Sequence, residues 1–588
     1  MKHNKNTFFP GLIAICLLIL FFALFMRVVS MGRYPLFDTT EARYAGIALE
    51  MLKSGDWIVP SLPLTHEAFL AKPVLSFWCI AASLGAFGVN EFAARLPNLL
   101  ETILILFFTY LIARKFYDKF TSLLAPCLLF TASFIFIQAG TVDLDVMLCL
   151  INTVSFWAYL NILQATERNN KKDKLIYETL LGILVALNLL NKGLIGLVLF
   201  GGSILLFSLW KKNSLLIFRV NWLLIAIIGV LLAAPWYLAA EARHPDFLKY
   251  FFLNEHFYRY LKKDYGDRYG TPHLEVHGTS LVFVLGAFMP WSPLLIASFN
   301  DLISSKVNRN NSAKFLWSCF LFPPVFFILV RSLLMNYILV SLPFIAILSA
   351  RVIIKTLANT QKPIQAFQTQ ISSNKNIFWK VWMLISNPIY GSIPSLIASC
   401  TVMMFILQFY SMHYSLHLHE VVEKKRLTIY VIFLSIGAVF LFLLSYYKAI
   451  QKINPTNIKR LIKNIIILCT LVSSIYLSTW FAFFTHPLAE QKSLKELLSK
   501  LPNAVPNFQK HTISFVEDNI PASWFFYSYS IYKQLPLETT IKQSQAKHIE
   551  LVYEEYIPSY CENHPERCIN DFVFKSNKYF VFKPQSMN

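Results

Sequence analysis

Apolar runs of about 20 residues recur along this chain, separated by short stretches that carry most of its charge. As a helix, a run of that length crosses roughly 30 Å of hydrocarbon. The pattern predicts spans near 8–30, 97–113, 120–139, 146–164, 175–190, 194–210, 220–240, 278–299, 315–333, 337–354, 382–407, 427–446 and 464–484, thirteen in all. Residues 73–90 are apolar too, but Pro73, Gly85 and Gly88 argue against a full span there. The first run follows Lys2 and Lys5 as a signal peptide would. The sequence RVVSMGR after it lacks a small-residue cleavage pattern, so it reads as a retained span.

After Phe484 the periodicity changes. LAEQKSLKELLSKL (488–501) is an amphipathic helix pattern with leucines at 494, 497, 498 and 501. HTISFVED, KHIELVYEEY and the pair DFVF and KYFVF read as strands. The predicted organisation is a membrane domain over 1–484, with external loops at 33–96 and 241–277, and a small external α/β unit over 485–588. The fold class is an α-helical polytopic membrane protein with juxtamembrane helices outside the bilayer.

Composition agrees. Of 588 residues, 56% are hydrophobic and 15% charged, against about a quarter charged in soluble domains. A net charge of +20 invites a nucleic-acid partner, but the placement of Lys and Arg excludes one. They concentrate in alternate short loops, as in RKFYDK (114–119) and ERNNKKDK (167–174), which is the positive-inside pattern. It predicts a cytoplasmic N-terminus and an external C-terminal tail. The loop 408–426, with Lys424, Lys425 and Arg426, runs against the alternation. Seven of nine cysteines lie in apolar segments and read as buried hydrophobes. Cys561 and Cys568 lie in the external tail, where an oxidising compartment permits a disulfide. The intervening His564 leaves a metal reading open.

Charges on the external side cluster where spans meet. In FDTTEARYAGIALEMLKSGDWIVP (37–60), Asp38 and Glu41 form a capping-box pattern ahead of a helix that reads as amphipathic and surface-lying. FLAKPV (69–74) sets Lys72 at a Pro-bounded turn, and GTVDLDVML sets Asp143 and Asp145 at a junction. YFFLNEHFYRYLKKDYGDRYG (250–270) holds Glu255 and His256, and RSLLMNY (331–337) holds Arg331, Asn336 and Tyr337. Ionisable groups at membrane boundaries are costly and point to function.

These stretches, with LLNKGLIGLVL (189–199), PWYLAAEARHPDFLKYFFLNEHFYRYL (235–261) and FMPWSPLL (288–295), resemble the GT-C glycosyltransferases of the protein-mannosyltransferase superfamily. The nearest likeness is the bacterial lipid A aminoarabinose transferase branch, over roughly 8–355. The resemblance implies a transferase of the inner membrane that takes a sugar from a polyprenyl-phosphate donor. The acceptor is lipid A or another envelope glycan outside. Protein side chains are the alternative acceptor, and a lipid-linked sugar transporter is the alternative class. It also implies catalytic or positioning roles for Asp38 and Glu41 and a phosphate contact for Lys72, while Arg43, Asp145, Glu255, His256, Arg331 and Tyr337 are candidate substrate contacts by their placement in the external loops and junctions. Relatives with Glu-Lys-Pro-Pro at the lysine turn can hold a metal there. Here the acid is Ala71 and the second proline is Val74, so a divalent metal is left open, with His256 and His413, His417 or His419 as nitrogen ligands on offer. A lysine usual near Arg331 is Leu333 in this chain, which leaves Arg331 and Tyr337 to take its place.

Overall fold

The computed structural model describes residues 5–37, 40–63, 66–212, 219–258, 275–303, 311–330, 333–358 and 455–479, parts of 387–403 and 493–504, and the strands and some flanking residues between 513 and 582. The described chain is mainly helical: α1 (Lys5–Ser30), α2 (Glu41–Ser54), α3 (Leu75–Phe87), α4 (Glu91–Phe116), α5 (Lys119–Phe130), α6 (Ser133–Gln138), α7 (Leu144–Glu167), α8 (Lys171–Lys192), α9 (Leu194–Lys211) and α10 (Trp222–Arg243). Further helices cover Thr279–Ala287, Pro293–Ile303, Asn311–Phe326, Leu342–Ala358, Pro455–Thr479 and Lys495–Ala504. Asparagine and aspartate side chains start many of them. Asn90 accepts from the Ala93 N–H at 2.9 Å, Asp118 from Phe120 and Thr121, and Asn170 from Asp173. Each satisfies a backbone donor that the first helical turn leaves open. Gly55, at φ +71°, ends α2 and returns its N–H to the Met51 carbonyl.

Seven helices among the described residues are long and apolar enough to cross a bilayer: Pro10–Ser30, α4, α7, α9, α10, Met335–Ala358 and Arg460–Ser478. The expected span 120–139 is divided at Thr131–Ala132 into α5 and α6, and 278–299 into Thr279–Ala287 and Pro293–Ile303. The helix α3 is 13 residues, about 20 Å at 1.5 Å per residue, short of a full span as its Pro and Gly residues indicated. Predicted spans at 427–446 and most of 382–407 lie outside the described residues. Within the bundle α7 packs on α8 and α4, and α8 packs on α10.

The 33–96 loop, expected to be external, departs from the surface helix expected of it. Glu41, Ala42 and every residue from Tyr44 to Met51 are buried in α2, so the helix is inserted between neighbours rather than resting on a membrane. Its core includes Phe69, Phe77, Trp236 and Phe251, and also Leu497, Leu501, Tyr527 and Leu551 of the C-terminal region. That region forms a five-stranded sheet: β1 (Ile513–Phe515), β2 (Thr539–Ile541), β3 (Ile549–Tyr553), β4 (Phe572–Ser576) and β5 (Tyr579–Phe582). The order is β2-β1-β3-β5-β4, with β1 parallel to both neighbours and β5 antiparallel to β3 and β4. The short β2 was not foreseen. Cys561 and Cys568 are disulfide-bonded beside this sheet.

Candidate active site

A pocket forms where the start of α7, the end of α8 and the start of α9 meet the 69–74 turn, the π-helical segment Tyr250–Tyr258 and the 3₁₀ turn Met335–Ser341. Each element brings one or two functional groups. Asp143 caps α7 by accepting from the Asp145 N–H at 2.8 Å, which sets Asp145 in the first helical turn. Lys192 ends α8, and Gly193 turns the chain into α9 at φ +69°. A Cβ at Gly193 would come within 2.6 Å of His256, so the junction requires glycine. This nine-residue π-helical segment, of a kind frequent at functional sites, carries Glu255 and His256.

The polar groups are arranged as two ion pairs. Lys192 Nζ lies 2.6 Å from Asp145, and Lys72 Nζ lies 3.2 Å from Glu255. Lys192 also stands 4.7 Å from the centre of the Tyr337 ring, a cation–π distance. Lys72 further donates to the Ala71 carbonyl, and the Tyr250 hydroxyl reaches Glu255. Leu148, Ile195, Phe251 and Phe327 supply an apolar wall. Behind the pocket, Asn336 donates to Asp143 and accepts from Gln138. Burial first, and the neighbouring Asp145 second, push the Asp143 carboxyl up to about 8, with Lys192 opposing.

The residues singled out from sequence divide three ways. Lys72, Asp145, Glu255, His256 and Tyr337 come together in the pocket. Asp38 and Arg331 lie outside the described residues. Arg43 and Glu41 sit apart from it: the Arg43 guanidinium faces the rings of Tyr44 and Phe69 at 5.5 and 5.8 Å. Glu41 is buried against Arg95 at 2.7 Å and accepts from the Phe37 and Val142 N–H groups at 3.0 and 3.1 Å. The expected capping box is shifted, because the N-cap is Thr40 and Glu41 reaches back to Phe37. The four hydrogen bonds to Glu41, two of them from Arg95, occupy the lone-pair directions of both carboxylate oxygens.

Lys192 was missed in the sequence, although the signal was present. It is a lysine closing an apolar helix beside Gly193, inside the LLNKGLIGLVL stretch that carries the resemblance.

The donors do not fit a metal. Glu255 is taken by Lys72, and both nitrogens of His256 are used. Nε2 accepts from the Leu194 N–H at 3.0 Å, so Nδ1 carries the proton and donates to the Phe251 carbonyl at 2.8 Å. Burial lowers the affinity of this imidazole for a second proton. Among the described residues no group of three His, Cys, Asp or Glu side chains is disposed to hold a metal ion, and His413, His417 and His419 lie outside them.

Comparison with known proteins agrees with the fold and with the sequence resemblance. Residues 12–251 match the family described as dolichyl-phosphate-mannose-protein mannosyltransferase (PMT). The chain is 27% identical over 389 residues to an undecaprenyl phosphate-alpha-4-amino-4-deoxy-L-arabinose arabinosyl transferase of Pseudomonas fluorescens, covering 64% of this chain and 63% of that protein. It is 30% identical over 347 residues to the transferase of that name from Pseudomonas aeruginosa, covering 58% of this chain and 60% of that protein. The chain thus spans less than two thirds of the length of these relatives. Among solved structures it matches ArnT from Cupriavidus metallidurans bound to undecaprenyl phosphate, with a TM-score of 0.67 at 18% identity, over 96% of this chain and 97% of that one. The apo form of the same protein gives a TM-score of 0.67 at 17% identity. The fold is that of a multi-pass GT-C membrane protein. More particularly, residues 12–251 resemble the protein-mannosyltransferase family, and the chain is similar in sequence to bacterial aminoarabinose transferases.

Proposed function

We propose that this protein transfers a sugar of the 4-amino-4-deoxyarabinose type from an undecaprenyl-phosphate donor to lipid A. The observation that carries the reading is the convergence of Lys72 and Lys192, each balanced by a carboxylate, against an apolar wall at a membrane boundary. The names of the curated relatives support the sugar and the donor. In the transfer, an acceptor oxygen attacks the anomeric carbon while its bond to the phosphate oxygen breaks. The electron pair leaves with undecaprenyl phosphate. Cations held in place before the reaction stabilise that developing charge, and lysine–phosphate contacts are charge-assisted.

The charges of two lysines and two carboxylates cancel in the pocket. An arriving phosphate replaces Asp145 or Glu255 on one lysine, and the released carboxylate becomes available to hold the sugar. An acceptor phosphate is already anionic and needs little help from a base. Asp38 and Arg331 are proposed as a further sugar-positioning acid and phosphate cation. Glu41 is proposed to brace the loop.

In this reading the N-terminus is cytoplasmic, and the pocket and the 485–588 unit are periplasmic in the bacterial inner membrane. The Lys/Arg alternation supports this, and a disulfide at Cys561–Cys568 suits an oxidising compartment. The test is purified protein in detergent supplied with undecaprenyl-phosphate aminoarabinose and lipid A, read by mass spectrometry. Lipid A should gain the sugar's mass. Donor binding without transfer would overturn the reading. Sugar appearing on protein side chains instead would favour the activity in the family's description.

A further inference from the structure

We propose that Tyr527, far along the chain in the C-terminal unit, is a positioning residue for the pocket, an inference that rests on the transferase reading. Tyr527 is fully buried. Its hydroxyl accepts from the Leu36 N–H at 2.6 Å and donates to Glu91 at 3.1 Å, and Lys495 pairs with the same Glu91 carboxylate. Leu36 closes a stretch of loop whose backbone is gripped on its other side by Arg95. That guanidinium, itself without exposure, donates to the carbonyls of Met31, Tyr34 and Pro35 at 2.7, 2.8 and 2.9 Å. It also holds Glu41, and Glu41 accepts from the N–H of Val142.

The next residue is Asp143. It caps α7, and its carbonyl accepts from Asn98, one turn beyond Arg95 on α4. Asp145 then meets Lys192 in the pocket. These hydrogen bonds, joined by the backbone links Pro35–Leu36 and Val142–Asp143, therefore connect the C-terminal unit to the Asp145–Lys192 pair that in this reading faces the donor phosphate. Buried polar networks of this kind hold a geometry only while every member is satisfied. Removing the Tyr527 hydroxyl leaves the Leu36 N–H without its acceptor and slackens the loop on which Val142 and Asp145 depend.

Three variants test this: Tyr527→Phe, which keeps the ring; Phe526→Leu, which trims the adjoining buried ring and touches none of these bonds; and Glu41→Gln near the other end. Tyr527→Phe is expected to lower kcat roughly tenfold, since small misplacements at a reacting centre cost up to ~100-fold. KM for the donor should hardly change. Phe526→Leu is expected to lose at least as much thermal stability with kcat retained. Combining Tyr527→Phe with Glu41→Gln should cost less than the product of the single losses, whereas Phe526→Leu with Glu41→Gln should multiply. A kcat that tracks thermal stability across all variants, or losses that multiply for Tyr527→Phe with Glu41→Gln, would overturn the proposal. Amide exchange gives a reading that needs no turnover. The Val142 amide should exchange faster in Tyr527→Phe than in Phe526→Leu, and equal rates would also overturn it. A wild-type protein that fails to transfer sugar would sink the transferase reading, with the exchange comparison still deciding the coupling.

Discussion

Lys192 and Asp145 are 2.6 Å apart with side chains only 10% and 5% exposed, and that isolation sets the outcome of removing either. Breaking a buried pair on one side costs about 3–5 kcal/mol, because a charge is left without a partner. Lys192→Ala should therefore lower both the thermal midpoint and turnover. Adding Asp145→Asn should restore most of the midpoint without restoring turnover, because the phosphate has still lost its cation. Recovery of turnover in the double variant would mean that Lys192 serves stability alone. Asp143 offers a pH test. Its carboxyl is pushed up from an ordinary 3.8 to about 8 by burial. An acid whose folded pKa is raised contributes stability that is complete below the unfolded value and lost as pH climbs through the folded one. The wild-type midpoint should fall between pH 5 and 8 and level off above, and Asp143→Asn, measured over the same range, should flatten that fall.

At the scale of elements, the α8–α9 junction carries the sharpest constraint. The backbone of Gly193 lies at φ +69° and ψ −135°, a region that costs other residues of order 1–3 kcal/mol. An added Cβ would also press on His256 at 2.6 Å and Phe251 at 2.8 Å. Gly193→Ala should lower the thermal midpoint and turnover together, by misdirecting Lys192. Gly201→Ala, inside α9 where nothing lies within 4 Å of a new Cβ, is the control. It should be neutral or stabilising by up to about 1 kcal/mol. An equal response of the two variants would remove the junction from the argument. Such elements were partly legible beforehand. Span-length apolar runs announce long membrane helices such as α4, α7 and α10, because hydrocarbon thickness sets their length. Charges at span ends located the pocket, because ions are expensive there. The burial of α2 was not legible: its polar face pairs Glu41 with Arg95, 54 positions away, and no local periodicity records that partner. The break of 120–139 at Thr131–Ala132 escaped for a similar reason. Thr131 accepts the indole N–H of Trp291 at 3.0 Å, and the Ser133 N–H donates to the Met289 carbonyl. Both contacts are long-range.

The whole molecule raises the question of whether the C-terminal unit, proposed over residues 485–588, stands alone, as the sequence change after Phe484 suggests. Its sheet alternates with the strand period of two. Ile549, Leu551 and Val581 enter the core shared with α2 and α3, whereas Val552 and Phe582 face Tyr560 and the disulfide on the other side. The helix Lys495–Ala504 sends Leu497, Leu498 and Leu501 into the shared core too, each without exposure. Among the described residues, only the small cluster around Tyr560 is therefore private to the unit. Burying a Leu, Ile or Val side chain contributes about 1.5–3 kcal/mol, so exposing these six removes an amount comparable to the roughly 5–15 kcal/mol that usually separates folded from unfolded. Produced alone in oxidised form, residues 485–588 should show strand and helix signals in circular dichroism but no cooperative melt. The full protein, by contrast, should lose the unit and the first external loop in a single transition. A sharp, reversible melt of the isolated unit would show that it folds autonomously and merely docks. In that case Tyr527 would bridge two independent bodies rather than sit within one.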